Sequence, residues 1–393
     1  MPDSAGRAPV SQEISGHGDL WQRFRRKMPV AEKWAYFDHA AVAPIAGPAR
    51  DALAAWTAEA AAEGDTIWPT WSRRVEETRA LAAWLISAES DEVALLPNTT
   101  AGINLVAEGF PWQPGDNVVT LDNEFPSNVY PWLNQASRGV ETRRVPTDDG
   151  RVDLDRLAGA CDRRTRLISV SWVGYASGWR VELDRVAEIA RGTGALLFVD
   201  AIQGLGVFPL DVKQTPIDFL AADGHKWLLG PEGAGVFFIR KEHLPRLRPL
   251  SVGWNSVQHA HDFTHIELNL KPTAARYEGG SQNMAGMLAL GASLQMLLGY
   301  GTAALAQQVL DITDLACRRL EEIGARVASH REGNHRSGIV GFELPGQNPQ
   351  QVRERCLARG VALGCRAGRL RISPHAYVNA DDVERLIAAL QGS

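Results

Sequence analysis

The stretch IDFLAADGHKWLLGPEGAGVFFIR, residues 217–240, decides the fold. It reads as a short buried strand over 217–222, a polar turn carrying Lys226, a Gly/Pro loop, and a second strand over 235–239. Apolar runs of this length, bounded by turn residues, are the pattern of buried strands. Lys226 stands beside His225 and ahead of Trp227-Leu228-Leu229, a setting unlike that of a solvated surface lysine. Desolvation and nearby cations favour the neutral amine, the form that attacks an aldehyde. A surface hairpin with one snorkelling lysine is the plain alternative.

Outward from this stretch, strands alternate with helices between Val93 and Arg240. That alternation predicts a mostly parallel sheet with helices on both faces. In ALLFVDAIQGLG (195–206), Asp200 closes an apolar strand, where open α/β sheets place ligand-binding groups. A carboxylate buried there needs a partner; a helix N-cap, with backbone N–H groups as partners, is the plain alternative. In PNTTAGINLVAEG (97–109), Asn98 and Thr99 are good N-cap residues opening a helix. A helix N-terminus with Thr99 and Thr100 hydroxyls suits a phosphate, although many strand-to-helix junctions begin with threonine. Further along, WAYFDHAAVAPI (34–45) carries a strand into small residues that leave room for close approach, and LRIS (370–373) sets Arg371 among Arg366 and Arg369. A guanidinium fork fits a carboxylate.

These motifs, in this order from Tyr36 to about Leu390, resemble the class V aminotransferases, which include the cysteine desulfurases. The resemblance implies an α/β, PLP-dependent transferase fold of type I with a small α+β domain. The expected division is 1–35 as an N-terminal segment packing with the small domain, 36–298 as the pyridoxal 5′-phosphate (PLP) domain, and 299–393 as the small domain. It makes Lys226 the Schiff-base lysine and general base, and Asp200 the partner of the pyridinium nitrogen, which keeps the ring an electron sink. Thr99, Thr100, Phe125, Gln203, Asp223 and His225 become cofactor-binding. Ser281, in the loop of RYEGGSQN (276–283), would reach the phosphate of a neighbouring subunit, so a homodimer with shared active sites is expected. Arg371, Ala41 and Trp254 would bind an amino-acid substrate, and no metal is expected.

The chain departs from the family in three places. Phe125 stands where a ring-stacking histidine is usual, and Trp172 where desulfurases carry asparagine. The desulfurase loop with its nucleophilic cysteine is missing: only AGRL (367–370) separates Arg366 from Arg371, and Cys365 precedes that arginine. Transamination or related Cα chemistry therefore ranks first and C–S or other β-lyase or epimerase chemistry second. Persulfide-forming desulfuration and a PLP-binding protein without turnover come last. Trp172, Tyr175, Trp254 and His39 are candidates to line the pocket, which would favour apolar or aromatic substrate side chains.

Composition sets outer bounds. The 393 residues are 45% hydrophobic and 22% charged, with a net charge of −5, which gives no reason to expect nucleic-acid binding. Arg23, Arg25, Arg26 and Lys27 read as a solvated helix face. The four cysteines lack metal or redox spacing and read as reduced thiols. The polar first residues lack an apolar signal core, no apolar run reaches the ~18 residues of a bilayer span, and a cytoplasmic protein is expected. Residues 1–16 are expected to be unstructured.

Overall fold

The computed structural model describes residues 19–392; the opening segment expected to be unstructured lies outside the described residues. After β1 (Ala35–Tyr36), seven strands build the main sheet: β2 (Val93–Leu96), β3 (Asn117–Leu121), β4 (Glu141–Val145), β5 (Thr165–Ser171), β6 (Leu196–Asp200), β7 (Phe219–Asp223) and β8 (Gly235–Ile239). Their order is β2-β8-β7-β6-β5-β3-β4. β8 runs antiparallel to both neighbours, and the other pairings are parallel. β2, β3, β7 and β8 are buried along their whole length. Burial on both faces explains why they read as continuous apolar runs rather than alternating ones. β4, at the sheet edge, carries Glu141, Arg143 and Arg144, charges that discourage edge pairing.

Side chains alternate between two apolar cores. On β7, Phe219 and Ala221 join the core with Ile103 and Phe237, while Leu220 and Ala222 join the one with Trp227 and Phe238. The helix Thr99–Gly109 packs on the first of these, and Gly102 permits it: a Cβ there would stand 2.7 Å from the Ala221 Cβ. The expected strand over 217–222 is displaced toward its polar end and takes in Asp223.

A second sheet forms near the C-terminus from β9 (Arg326–Val327), β10 (Val340–Glu343), β12 (Gly364–Arg366) and β13 (Arg369–Ile372), in the order β12-β13-β10-β9. Between them β11 (Val361–Ala362) pairs in parallel with β1. The strand expected near Trp34 thus joins the C-terminal region, not the main sheet. The short strands β9, β11 and β12 were not evident in the sequence pattern. The helix Leu20–Arg25 also packs there: Phe24 lies against His375 and Tyr377, and Arg25 pairs with the buried Asp382 at 2.5 Å. Arg25 is therefore an anchor, a correction to the expected solvated basic face. Among the described residues no single helix is long and apolar enough to cross a membrane.

Candidate active site

The C-terminal ends of the parallel strands converge on one cavity of ≈ 200 Å³. β6 ends in Asp200, β7 leads through Asp223 and His225 to Lys226, β2 leads to Thr99 and Thr100, and β3 to Phe125. All of these, with Ala41, Gln203 and Arg371, line the cavity.

The Lys226 turn is clamped by backbone bonds. Leu229, in the left-handed region at φ 57°, donates to the Lys226 carbonyl at 3.0 Å, and its own carbonyl accepts from Ala46. Ala43 N–H bonds the His225 carbonyl at 2.7 Å, so the small-residue segment after β1 holds the turn from outside. Lys226 is buried, and its Nζ lies 5.7 Å from the Phe125 ring centroid. Burial pushes its amine down to about 8; Asp200 opposes the shift and Arg371 adds to it.

Asp200 is fully enclosed, and burial drives its carboxyl up to about 6 despite the Ile202 N–H at 3.1 Å and the Lys226 charge. Gln203 is fixed at both ends: its Oε1 accepts from the Trp227 indole at 2.8 Å, and its Nε2 donates to the Ala40 carbonyl at 3.0 Å. One amide hydrogen is left over. His225 Nδ1 stands 3.0 Å from Asp223 Oδ1. Asn98 caps the helix through Ala101 N–H, Thr100 bonds Ser127, and the buried Thr99 hydroxyl has no partner.

Arg371 is 1% exposed. Its Nη1 donates to the Tyr175 carbonyl at 2.7 Å and its Nη2 to Asp38 at 3.0 Å, while Nε has no partner. A guanidinium carries five N–H donors, so Nε–H and one hydrogen on each Nη are left over. Arg369, the sequence alternative, is consumed by Asp149 and Glu343.

Several expected residues are not brought to this cavity within the chain. Ser281 lines a separate cavity with Glu278 and Gly280. Trp254 stands against His261 and Phe263. Trp172 packs into the space left by Gly204, where a Cβ would stand 2.4 Å from its ring. His39 is buried, bonding the Ser373 carbonyl and the Tyr377 hydroxyl. Of the four suggested lining aromatics and histidine, only Tyr175 takes that place, edge-on to Phe125.

The structure adds two residues. Asp38 orients Arg371, and the only sequence signal was an acid just past a short strand. Glu124 is buried beside the site, bonding the backbone N–H (2.6 Å) and hydroxyl of Ser171. Burial pushes its carboxyl up to about 7, with the Asp200 charge adding to the shift.

These features fit PLP. An orphaned threonine hydroxyl, a buried acid awaiting a proton donor, a desolvated amine and an unfilled guanidinium are what a phosphate, a ring nitrogen, an aldehyde and a substrate carboxylate require. Fold and site together define a PLP-dependent enzyme of fold type I. The model of the family "Aminotransferase class-V" matches residues 35–386, and the chain belongs to that family. A probable cysteine desulfurase of Methanothermobacter thermautotrophicus is 30% identical, covering 93% of this chain and 96% of its own length. The apo cysteine desulfurase from Thermococcus onnurineus superposes with a TM-score of 0.86 at 25% identity, over 94% of this chain and 97% of that one. The cystine C–S lyase C-DES, in complex with its product cysteine persulfide, superposes with a TM-score of 0.85 at 21% identity, over 91% and 97%.

Proposed function

We propose that this enzyme removes the Cα proton of an α-amino acid and eliminates a sulfur leaving group from Cβ. The observation that carries the first part is the meeting of Lys226 and Arg371 in one small cavity. When bound, PLP supplies the aldehyde that captures the amino group and a ring that accepts the electron pair released at Cα. Thr99 and Thr100 would hold its phosphate, Asp200 its ring nitrogen, Gln203 and His225 its polar edge, and Phe125 its face.

Arg371 binds the α-carboxylate through its unfilled N–H groups, and Asp38 keeps the fork from turning away. Lys226, neutral above about 8, accepts the Cα proton and can return it. For sulfur elimination, the support is the 30% identity to a relative named a probable cysteine desulfurase. The β12–β13 connection offers no cysteine over the substrate, so the sulfur leaves as a free thiol. Balanced, an S-substituted cysteine and water yield pyruvate, ammonia and the thiol.

Transamination, first in the sequence-based ranking, is the second reading. Phe125 favours it, because an apolar ring gives no proton to a departing sulfur. We further propose a homodimer in which Ser281 completes the neighbour's phosphate site, since within its own chain it faces another cavity. We also propose 36–298 as the PLP unit and 299–393 as the small unit; the N-terminal helix joins the latter through Arg25 and Asp382, and the first residues of the PLP unit, Tyr36 and Asp38, pair with it at Ala362 and Ser373.

The test is incubation of the PLP-loaded enzyme with a panel of amino acids, measuring keto acids, ammonia and thiol. Pyruvate, ammonia and thiol in equal amounts from S-substituted cysteines are expected. Keto acid without ammonia assigns transamination instead, and no turnover of any amino acid overturns both.

A further inference from the structure

The β12–β13 hairpin places three arginines on one face. Arg366 stands directly opposite Arg369, and Arg371 lies two residues along β13. Residues opposite each other across antiparallel strands share a face, as do residues two apart. Two of the three are neutralised: Arg369 by Asp149 and Glu343, and Arg371 by Asp38. Arg366 is not. Among the described residues it makes no ion pair, and its guanidinium donates only to the adjacent Cys365 carbonyl at 2.8 Å. Like charges directly opposite on a hairpin are destabilising; the acid that attracts Arg366 is Asp38, already bound to Arg371, and the exposed Arg366 guanidinium stays open to a further anion.

Its place suggests which anion. Arg366 and Tyr175 line both the Lys226 cavity and an adjoining cavity of ≈ 360 Å³. A substrate held at Arg371 by its α-carboxylate, with its Cα at Lys226, has this junction as an exit for its side chain. We propose that Arg366 is a specificity-determining residue that pairs with an anionic group at the far end of the substrate side chain. The substrate class is then an amino acid with a second carboxylate, rather than the apolar or aromatic one suggested by the sequence. This rests on the assignment of Arg371 to the α-carboxylate. The adjoining cavity also contains Asp122, Asp149 and Glu124. Asp149 is taken by Arg369, Asp122 bonds Thr147, and Glu124 bonds Ser171. Only Asp149 is matched by a cation, the other two accept neutral hydrogen bonds, and among the described residues none of the three forms an ion pair with Arg366.

The test uses the PLP-loaded enzyme and three α-methyl amino acids, which lack a Cα proton: α-methylglutamate, α-methylnorvaline and α-methylornithine. Dissociation constants come from calorimetry, independent of turnover. Wild type should bind α-methylglutamate about tenfold more tightly than α-methylnorvaline, the low end for a charge-assisted pair at an exposed rim. Arg366→Gln should bring that ratio close to one, Arg366→Lys should restore part of it, and Arg366→Glu should turn the preference toward α-methylornithine. Arg371→Ala should weaken all three ligands together. No preference in wild type, a preference for α-methylornithine, or an unchanged ratio in Arg366→Gln overturns the proposal. If the ratio behaves as expected but no reactive amino acid is turned over, the Cα chemistry falls while the role of Arg366 stands.

Discussion

At the scale of single residues, the site is set by charges removed from water. Lys226 loses its proton near 8 in place of 10.5, chiefly because burial disfavours the ammonium ion. The neutral fraction grows as pH rises through that value, so PLP uptake by cofactor-free protein should accelerate through about pH 8 and then level off. Absorbance stopped-flow follows uptake, and borohydride followed by peptide mapping should place the label on Lys226. An inflection near that of an ordinary lysine, or label on another residue, would contradict the assignment. Glu124 works in the opposite sense. Its folded carboxyl sits at about 7 against an ordinary 4.5, so the folded state keeps a proton that the unfolded chain releases. Stability from this group is present at low pH and lost as pH rises through 7. Glu124→Gln removes the titration. Relative to wild type, the variant should therefore gain about 3 kcal/mol between about pH 4 and pH 8, an order-of-magnitude figure. Denaturant unfolding of both cofactor-free proteins at the two pH values measures it, and a constant difference would refute it.

Among the elements, the β12–β13 hairpin carries the proposal that this enzyme forms no persulfide on its own cysteine. Ala367 and Gly368 both have positive φ, 50° and 76°, which is the backbone of a two-residue type I′ turn. Such a turn has no length to spare for a mobile loop. Cys365 pairs with Leu370 across the hairpin, one residue out of phase with the arginines, so its side chain belongs to the opposite face from Arg371. Cys365→Ala should therefore keep sulfur release from S-substituted cysteines within about twofold, with no protein persulfide detectable by mass spectrometry in either form. Loss of all sulfur turnover in the variant would restore a nucleophilic role. Gly368→Val should lower stability by about 1–3 kcal/mol, the cost of a branched residue in the left-handed region, read from the shift in denaturation midpoint.

Over the whole molecule, one region presents large apolar side chains that are mostly exposed. Phe263, Ile266 and Leu268 are 69%, 86% and 75% exposed, and Trp254 joins Phe263 beside them. The loop bearing Ser281 leaves a buried anchor: Glu278 accepts from Arg79 and from Leu95 N–H, and holds the loop's start against β2. A rigidly presented loop beside uncovered apolar side chains suits the proposed homodimer. The protein should sediment as a dimer, and Ile266→Glu combined with Leu268→Lys should shift it toward monomer and weaken PLP binding. Ser281→Ala should weaken PLP binding without dissociating the dimer. A wild-type monomer that binds PLP fully would dismiss the shared site.

What the amino-acid order by itself determined was everything carried by local pattern. Continuous apolar runs marked the doubly covered strands, and each polar residue just beyond a run marked the C-terminal edge of the sheet. The positions of Lys226, Asp200 and Thr99 at one cavity follow from that pattern, while the roles expected of them came from the family resemblance. Residues whose meaning depends on a distant partner were not legible in it. Asp38 matters because it lies beside Arg371, 333 positions away, and Arg369 drops out because Asp149, 220 positions away, claims it. Trp172 does not line the cavity, because its ring packs over Gly204. Pairings of that kind are decided by the packing of sheets and the register of strands, which no local periodicity encodes. Only the tertiary structure showed that, among the described residues, Arg366 is the hairpin arginine that forms no ion pair.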